Sequence, residues 1–217
     1  MPAHLRVSLA DRPGSLAALT AALSRAGANV MSVTVLERDQ GRAVDDLLLD
    51  WPYGRPWHEI TRAVEDCAGL RIHGLRHVAI AADTSELDLI RQAAEQPQRA
   101  IETVIDGLPH VLLADWAVAF DRASPALPLL TTPGAPTPLP KTVPSFDRPR
   151  AMTVGHDALI LAALSQSTMR VLVGRYEGPA FTSSEVDRCA ALLEVTASVL
   201  RLAGESPSQR PCSVAGL

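Results

Sequence analysis

The chain has 217 residues, a length that suits one large or two small domains. Its 20 Lys and Arg against 24 Asp and Glu leave a net charge of −4, so the basic face of a general nucleic-acid binder is missing. A hydrophobic share of 47% with 20% charged residues excludes global disorder and supplies real cores, built from Leu, Val and Ala because aromatics make up only 4%.

From His4 to Ala10, Leu5, Val7 and Leu9 alternate with Arg6 and Ser8, the pattern of a half-buried strand with its polar side out. Asp11-Arg12-Pro13-Gly14 then punctuates the chain. Proline suits a first helical turn, and Asp11 can cap the amides that such a turn leaves unpaired. Leu16, Leu19, Thr20 and Leu23 recur at helical spacing, and Gly27 stands where a left-handed C-terminal cap is wanted. Asn29 to Leu36 and Ala43 to Trp51 read as two strands of a hairpin around Arg38-Asp39-Gln40-Gly41. Beyond a bend holding Trp51, Tyr53 and Trp57, a helix carries Ile60, Val64 and Cys67. Leu70 to Ala81 closes as a strand in which Gly74 marks a bulge. The order is βαββαβ, a four-stranded antiparallel sheet with two helices on one face.

The run VSLADRPGSLAALTAALSRAGANVMSV resembles the first half of an ACT domain: a strand ending in Asp11-x-Pro13-Gly14, a helix with Leu16 and Leu23, and Gly27-x-Asn29 opening the second strand. The resemblance covers about residues 4–81. It implies a ferredoxin-like regulatory module, commonly dimeric, that binds an amino acid or a related small carboxylate. By that resemblance the ligand sits between Asp11, Arg12, Pro13, Gly14, Ser15 and Leu16 of one subunit and Asn29 and Val30 of its neighbour. The chemistry agrees, since the amides of Gly14, Ser15 and Leu16 at a helix N-terminus attract a carboxylate. Arg12 offers a second carboxylate partner, Asp11 a seat for an ammonium group, and Asn29 polar hydrogen bonds. The same turn is also how an ordinary strand-to-helix connection is built.

Asp83-Thr84-Ser85-Glu86 is a polar joint, placing domains at 1–82 and 83–204 with a flexible tail at 205–217. Leu87, Ile90 and Ala94, then Ile101, Val104 and Ile105, form helical stripes on either side of Pro97, and Gly107-Leu108-Pro109 ends the second helix. His110 to Phe120 reads as a bent strand. Residues 124–149 carry eight of the 17 prolines, which makes them an inserted loop without helix or inner strand. Ala158 to Leu164 and Met169 to Tyr176 read as neighbouring strands, followed by a capping box of Thr182 and Glu185. The helix beyond buries Val186, Cys189, Leu193, Ala197 and Leu200. From Met169 to Ala203 the sequence is similar to the end of a GAF domain, in which the last strands pass through a Phe-Thr-x-x-Glu turn into a long closing helix; the resemblance covers about 86–203 and is specific only from Met169 onward. That resemblance implies a degenerate GAF-like α/β domain with a central antiparallel sheet flanked by helices, making the whole chain α+β. Neither a cyclic-nucleotide signature nor a chromophore cysteine stands in the expected place.

Cys67, Cys189 and Cys212 show no C-x-x-C spacing, and the first 30 residues lack a basic start followed by an unbroken apolar stretch, so a cytoplasmic protein without disulfides is expected. His73 and His77 could share a strand face, yet no further ligand accompanies them at metal spacing, so neither a metal nor a cofactor is expected. Of Asp45 and Asp46 in mid-strand, one should face solvent. Arg6, Arg25, Arg62 and Arg76 read as solvated charges. No nucleophile elbow, phosphate loop, dinucleotide fingerprint or zinc-protease motif occurs. The expectation is a non-enzymatic regulator that binds a small amino acid or related carboxylate across a homodimer and signals to an effector protein, with neither nucleic acid nor membrane as partner. The alternatives are a constitutive dimerisation scaffold without a ligand and an enzyme built on an unfamiliar constellation.

Overall fold

In a computed structural model, residues 1–78, 85–139, 148–176 and 179–204 are described. The expected joint at residues 82 and 83, the end of the strand expected to reach Ala81, part of the proline-rich insertion, Cys212 and the 205–217 tail lie outside these residues. The chain divides into two units, one of Met1–Ala81 with Glu177–Ser184, the other of Ala82–Tyr176 with Glu185–Leu217.

The first unit runs β1 (Pro2–Ala10), α1 (Ser15–Arg25), β2 (Asn29–Asp39), β3 (Arg42–Asp50), α2 (His58–Glu65) and β4 (Arg71–His77). This is the expected βαββαβ order, and the strands lie β2-β3-β1-β4 with every pairing antiparallel. Ala3, Leu5, Val7 and Leu9 of β1 and Leu47 and Leu49 of β3 meet Leu19 and Leu23 of α1 and Ile60 and Val64 of α2 in one core, so both helices cover the same sheet face. Gly27, at φ 90°, ends α1 by donating to Ser24 O at 2.9 Å while Ala28 donates to Leu23 O at 3.0 Å. Those two bonds satisfy carbonyls that a helix end orphans. Gln40 and Gly41, both at positive φ, make the two-residue hairpin turn.

The other face of β1 departs from expectation. Its alternating polar residues His4, Arg6 and Ser8 are buried, with Arg6 only 2% exposed. Arg6 forks onto Asp46 across the β1–β3 pair, Nε donating to Oδ1 and Nη2 to Oδ2, each at 2.6 Å. Its Nη1 donates to Ala180 O at 2.7 Å, in the segment of the later chain that belongs to this unit. Pro179 lies over Gly74, where a Cβ would stand 2.6 Å from the ring. Ser183 N and Oγ donate to Glu37 at 2.8 and 2.6 Å. A period-2 pattern reports that two faces differ, and here both faces are covered.

The second unit contains α3 (Glu86–Glu95), a 3-10 turn (Pro97–Arg99), α4 (Ala100–Val111), β5 (Trp116–Asp121), β6 (Pro128–Thr131), β7 (Arg150–Val154), β8 (Asp157–Ala163), β9 (Met169–Arg175) and α5 (Ser183–Leu202). Its five strands form an antiparallel sheet ordered β6-β5-β9-β8-β7. Trp116, Val118, Phe120, Leu159, Leu161 and Leu172 share one apolar face, on which Ala135 and Leu139 pack. Gly174 stands directly opposite Trp116 and would drive a Cβ into the indole, so glycine lets the ring lie against the strand.

Several expectations for this unit are corrected. Leu89 and Ala93 are the buried face of α3, while Leu87 is exposed, because the helix turns toward Gly107 rather than toward the Leu87, Ile90 and Ala94 stripe. Gly107 does not stop α4. It is the point where Leu89 reaches that helix, which continues past Pro109 to Val111. The strand expected from His110 therefore starts only at Trp116, after Leu113 has taken a left-handed conformation and Ala114 N has closed back on Pro109 O at 2.8 Å. The proline-rich stretch holds a short edge strand, β6, because Pro128 is its first residue and needs no ladder donor there. The five apolar residues expected on α5 are all buried. Glu185 also pairs with Arg175, whose Nη2 donates to it at 2.8 Å while Nε and Nη2 donate to the α4 end at Leu113 O and Leu112 O.

That ion pair is 0% and 3% exposed at its side chains, so removing one partner strands a buried charge. Arg175→Met is expected to lower unfolding free energy by about 3–5 kcal/mol in urea titration, and Arg175→Met with Glu185→Leu is expected to recover much of that loss.

Candidate functional site

The site is built where β1 gives way to α1. Asp11 N donates to Gly41 O at 2.8 Å and Arg12 N to Ala10 O at 2.9 Å, which turns the chain off the sheet. Gly14, at φ 90°, is the N-cap of α1, and no side chain caps the helix. A residue with a Cβ is strained in that backbone conformation, which explains glycine here. Ser15 N is turned back onto Arg12 O at 3.3 Å, whereas among the described residues the amides of Leu16 and Ala17 meet no acceptor. The first turn also carries no acidic residue, so its positive dipole end is unanswered.

The turn borders an open cavity of about 450 Å³ lined by Leu9, Ala10, Arg12, Pro13, Gly14, Ser15 and Ala18 on one side and Cys67, Ala68 and Leu70 on the other, with Leu16 and Ala17 outside its lining. Arg12 is exposed and, among the described residues, has no ion-pair partner. The cavity thus offers the Arg12 guanidinium and the positive end of α1 for an oxyanion, beside an apolar wall. Cys67 is a free, half-buried thiol that leans on Ala63 O at 3.4 Å.

Of the expected residues, Arg12, Pro13, Gly14 and Ser15 line this cavity. Asp11 does not cap α1. It stands beside the hairpin turn, with Oδ2 3.9 Å from Arg38 Nε. Leu16 packs against the core. Asn29 and Val30 lie at the other end of the sheet, opposite Asp50 and Leu49, whereas Asp11 follows Ala10, which pairs with Arg42 at the near end. The nine residues of β1 separate the two groups by about 30 Å at roughly 3.3 Å per residue. The Cys67–Leu70 wall was not expected from the sequence. The signal was the topology itself, since β4 runs antiparallel to β1 and must begin where β1 ends.

The remaining polar candidates separate. His77 packs edge-on against Trp57, with ring centroids 4.4 Å apart, while His73 sits at the register shift of β4 that skips it between Ile72 and Gly74, so the two imidazoles do not share a site. Trp51 is fully buried under Arg55, Tyr53 is exposed, and Trp57 is half-buried, so the aromatic bend splits between core and surface. Asp45 and Asp46 are both buried, correcting the expectation that one faces solvent. Burial acts to raise the Asp46 carboxyl, but hydrogen bonds from Arg6 and His4 overcome it and hold the group well below the usual carboxylate range. Asp45, opposite Val7 and Val35, has the reverse fate: burial pushes its carboxyl up against the opposing pull of Arg38, and among the described residues Oδ1 has no hydrogen-bond partner.

Residues 3–50 match the family model of the ACT domain, which spans β1, α1, β2 and β3 and so contains the β1–α1 turn. The first unit therefore carries an ACT domain. Among solved structures, the chain is similar to the crystal structure of a formyltetrahydrofolate deformylase from Pseudomonas putida KT2440, with 14% identity over 48% of this chain and 39% of that one and a TM-score of 0.29. It is also similar to the crystal structure of an unknown protein from Galdieria sulphuraria, with 14% identity over 94% of this chain and 93% of that one and a TM-score of 0.34. No curated protein matches the chain. No helix among the described residues is long and apolar enough to cross a membrane.

A raised Asp45 carboxyl means that the folded state holds the proton more tightly than the unfolded state. Its cost is absent below the unfolded value of about 3.9 and sets in as pH rises through the folded one. Asp45→Asn is therefore expected to raise the melting temperature at pH 7 and to leave it unchanged at pH 3, as read by thermal denaturation at both pH values.

Proposed function

We propose that the protein is a non-enzymatic regulator whose ACT domain binds a small amino acid or related carboxylate at the β1–α1 turn, across a homodimer, and that the second unit is a degenerate GAF-like domain passing the signal to an effector protein. An ACT domain suggests a regulatory, small-molecule-binding role. The observation that carries the ligand class is the cavity at Gly14, where Arg12, without an ion-pair partner among the described residues, and the unanswered positive end of α1 suit a carboxylate. Support for a dimer comes from β2, an edge strand of 11 residues with Met31 50% and Val35 43% exposed. Two such edges paired antiparallel about Thr34 would bring Asn29 of one copy opposite Asp39 of the other, next to the turn that holds Asp11. The GAF-like reading is supported by the antiparallel sheet and by the passage from β9 through Phe181 and Glu185 into α5. The exposed β2 edge also favours a second reading, a constitutive dimerisation scaffold with no ligand.

A thermal-shift screen against the twenty amino acids, nucleotides and simple carboxylates separates these. A ligand at about 100 times its dissociation constant adds about 2.7 kcal/mol of stability. The expected result is a saturable shift by an amino acid that Arg12→Gln weakens about tenfold or more, since charge-assisted hydrogen bonds are worth roughly 1.5–3 kcal/mol. A tight dimer by light scattering with no shift from any compound selects the scaffold. Turnover of a metabolite mixture would overturn the non-enzymatic assignment.

A further inference from the structure

The face of β1 that points away from the helices carries a group of cations that the carboxylate site does not use. Ser8 is buried there. Arg71 of β4 lies directly opposite it, and Arg42 of β3 lies opposite Ala10, two residues along on the same face. Directly opposed side chains stand about 4.5–5.5 Å apart at Cβ and diagonal ones about 7–8 Å, so one ligand can reach all three. Arg42 is held in place by neutral acceptors: its Nη2 donates to Ser8 O and Ser8 Oγ at 3.0 Å and to Gly69 O at 3.1 Å. It turns toward β1 and β4 and away from Asp39, its opposite number on β2. Among the described residues neither Arg42 nor Arg71 has a carboxylate within ion-pair distance. Arg6, the nearest further cation, is already answered by Asp46. His73 completes the group at the β4 bulge, where burial first, and then the charges of Arg6, Arg42 and Arg71, hold its imidazole below the ordinary value. In a chain of net charge −4, two guanidinium groups and an imidazole held toward its neutral form thus gather around Ser8, with no carboxylate at ion-pair distance from either arginine among the described residues.

Like charges gathered on adjoining strands are destabilising, and an anion bound among them removes that cost. We infer that Ser8, Arg42, Arg71 and His73 form an anion site for a small ligand carrying a phosphate group. A phosphate group brings close to two negative charges and three acceptor oxygens, which match two guanidinium groups, an imidazole and a hydroxyl better than a lone carboxylate does. The site is distinct from the cavity at Gly14, because Leu9, which lines that cavity, and Ser8 point to opposite faces of the strand.

The test is calorimetric titration of the full chain with inorganic pyrophosphate at low ionic strength, with the histidine ring protons followed by NMR. The expected result is one saturable site whose occupation moves the His73 ring resonances, weakened about tenfold or more in Arg71→Gln and in His73→Gln. Both side chains are exposed and neither is part of a core, so the variants should melt no lower than the wild type, which is measured alongside. Arg62→Gln, on the exposed side of α2, should bind as the wild type does. Absence of binding, binding undiminished in both site variants, or equal weakening in Arg62→Gln would overturn the site. Malonate binding as tightly as pyrophosphate would overturn the phosphate assignment.

Discussion

The guanidinium of Arg6 and the carboxylate of Asp46 set the terms on which the first unit folds. β1 lies inside its sheet and is buried on both faces, so a charge placed on it has no water to turn to. Burying one member alone would cost several kcal/mol, and the fork between the two makes the burial tolerable rather than favourable. What the pair contributes is register. A slip of β1 by one residue against β3 would carry Arg6 into the layer of Leu5 and Val7 and set Leu5 against Asp46. Apolar residues on both faces would stabilise either register about equally, whereas the fork fits only one. The same guanidinium has a further donor, and that donor holds Ala180, so the segment around Pro179 is seated by the group that fixes the strands.

The second unit meets a similar constraint in another place. Its α4 helix ends inside the protein, where the last carbonyls need donors that water does not supply. Arg175, at the end of β9, gives its Nε and Nη2 to Leu113 and Leu112, and its positive charge also suits the negative end of the helix. Glu185 then answers the charge, which ties the start of α5 to the end of α4 through a strand residue. Three elements are thus located by one side chain, and a conservative Lys there would lose the planar fork that reaches two carbonyls and a carboxylate together.

How much of this could be read from the sequence follows from the range of the signals. The first unit was legible because its cues are local: the alternation in β1, Pro13-Gly14 before α1, Gly27 after it, and Gly41 in the hairpin each act within a few residues. The cavity was half legible for the same reason. Arg12 to Ser15 announce themselves as a helix start, while Cys67, Ala68 and Leu70 matter only because β4 returns beside β1. The burial of Arg6 is not legible in the sequence, because period 2 says which residues share a face and nothing about what covers it. In the second unit Gly107 and Pro109 looked like a stop, and the helix passed through them because Leu89 needs the space of the missing Cβ. That contact joins residues from two helices and leaves no mark in either stretch alone.

Under the proposed function, the placement of Asn29 has a thermodynamic consequence. Within one chain it stands at the far end of the sheet from Gly14, so a ligand that touches both must touch two copies. Ligand affinity and dimer stability are then linked quantities: whatever free energy the ligand gains from the second copy is gained by the dimer as well, and the coupling is equal in both directions. No hinge or lid is needed for such a regulator. On that proposal, the exposed apolar side chains of β2 would supply a basal tendency to associate, and the unanswered positive end of α1 would be satisfied only by a bound anion. A response of this kind is graded by protein concentration as well as by ligand. The two proposed halves of the site are separated by the length of a strand, and if one ligand touches both, that separation makes the concentration dependence unavoidable.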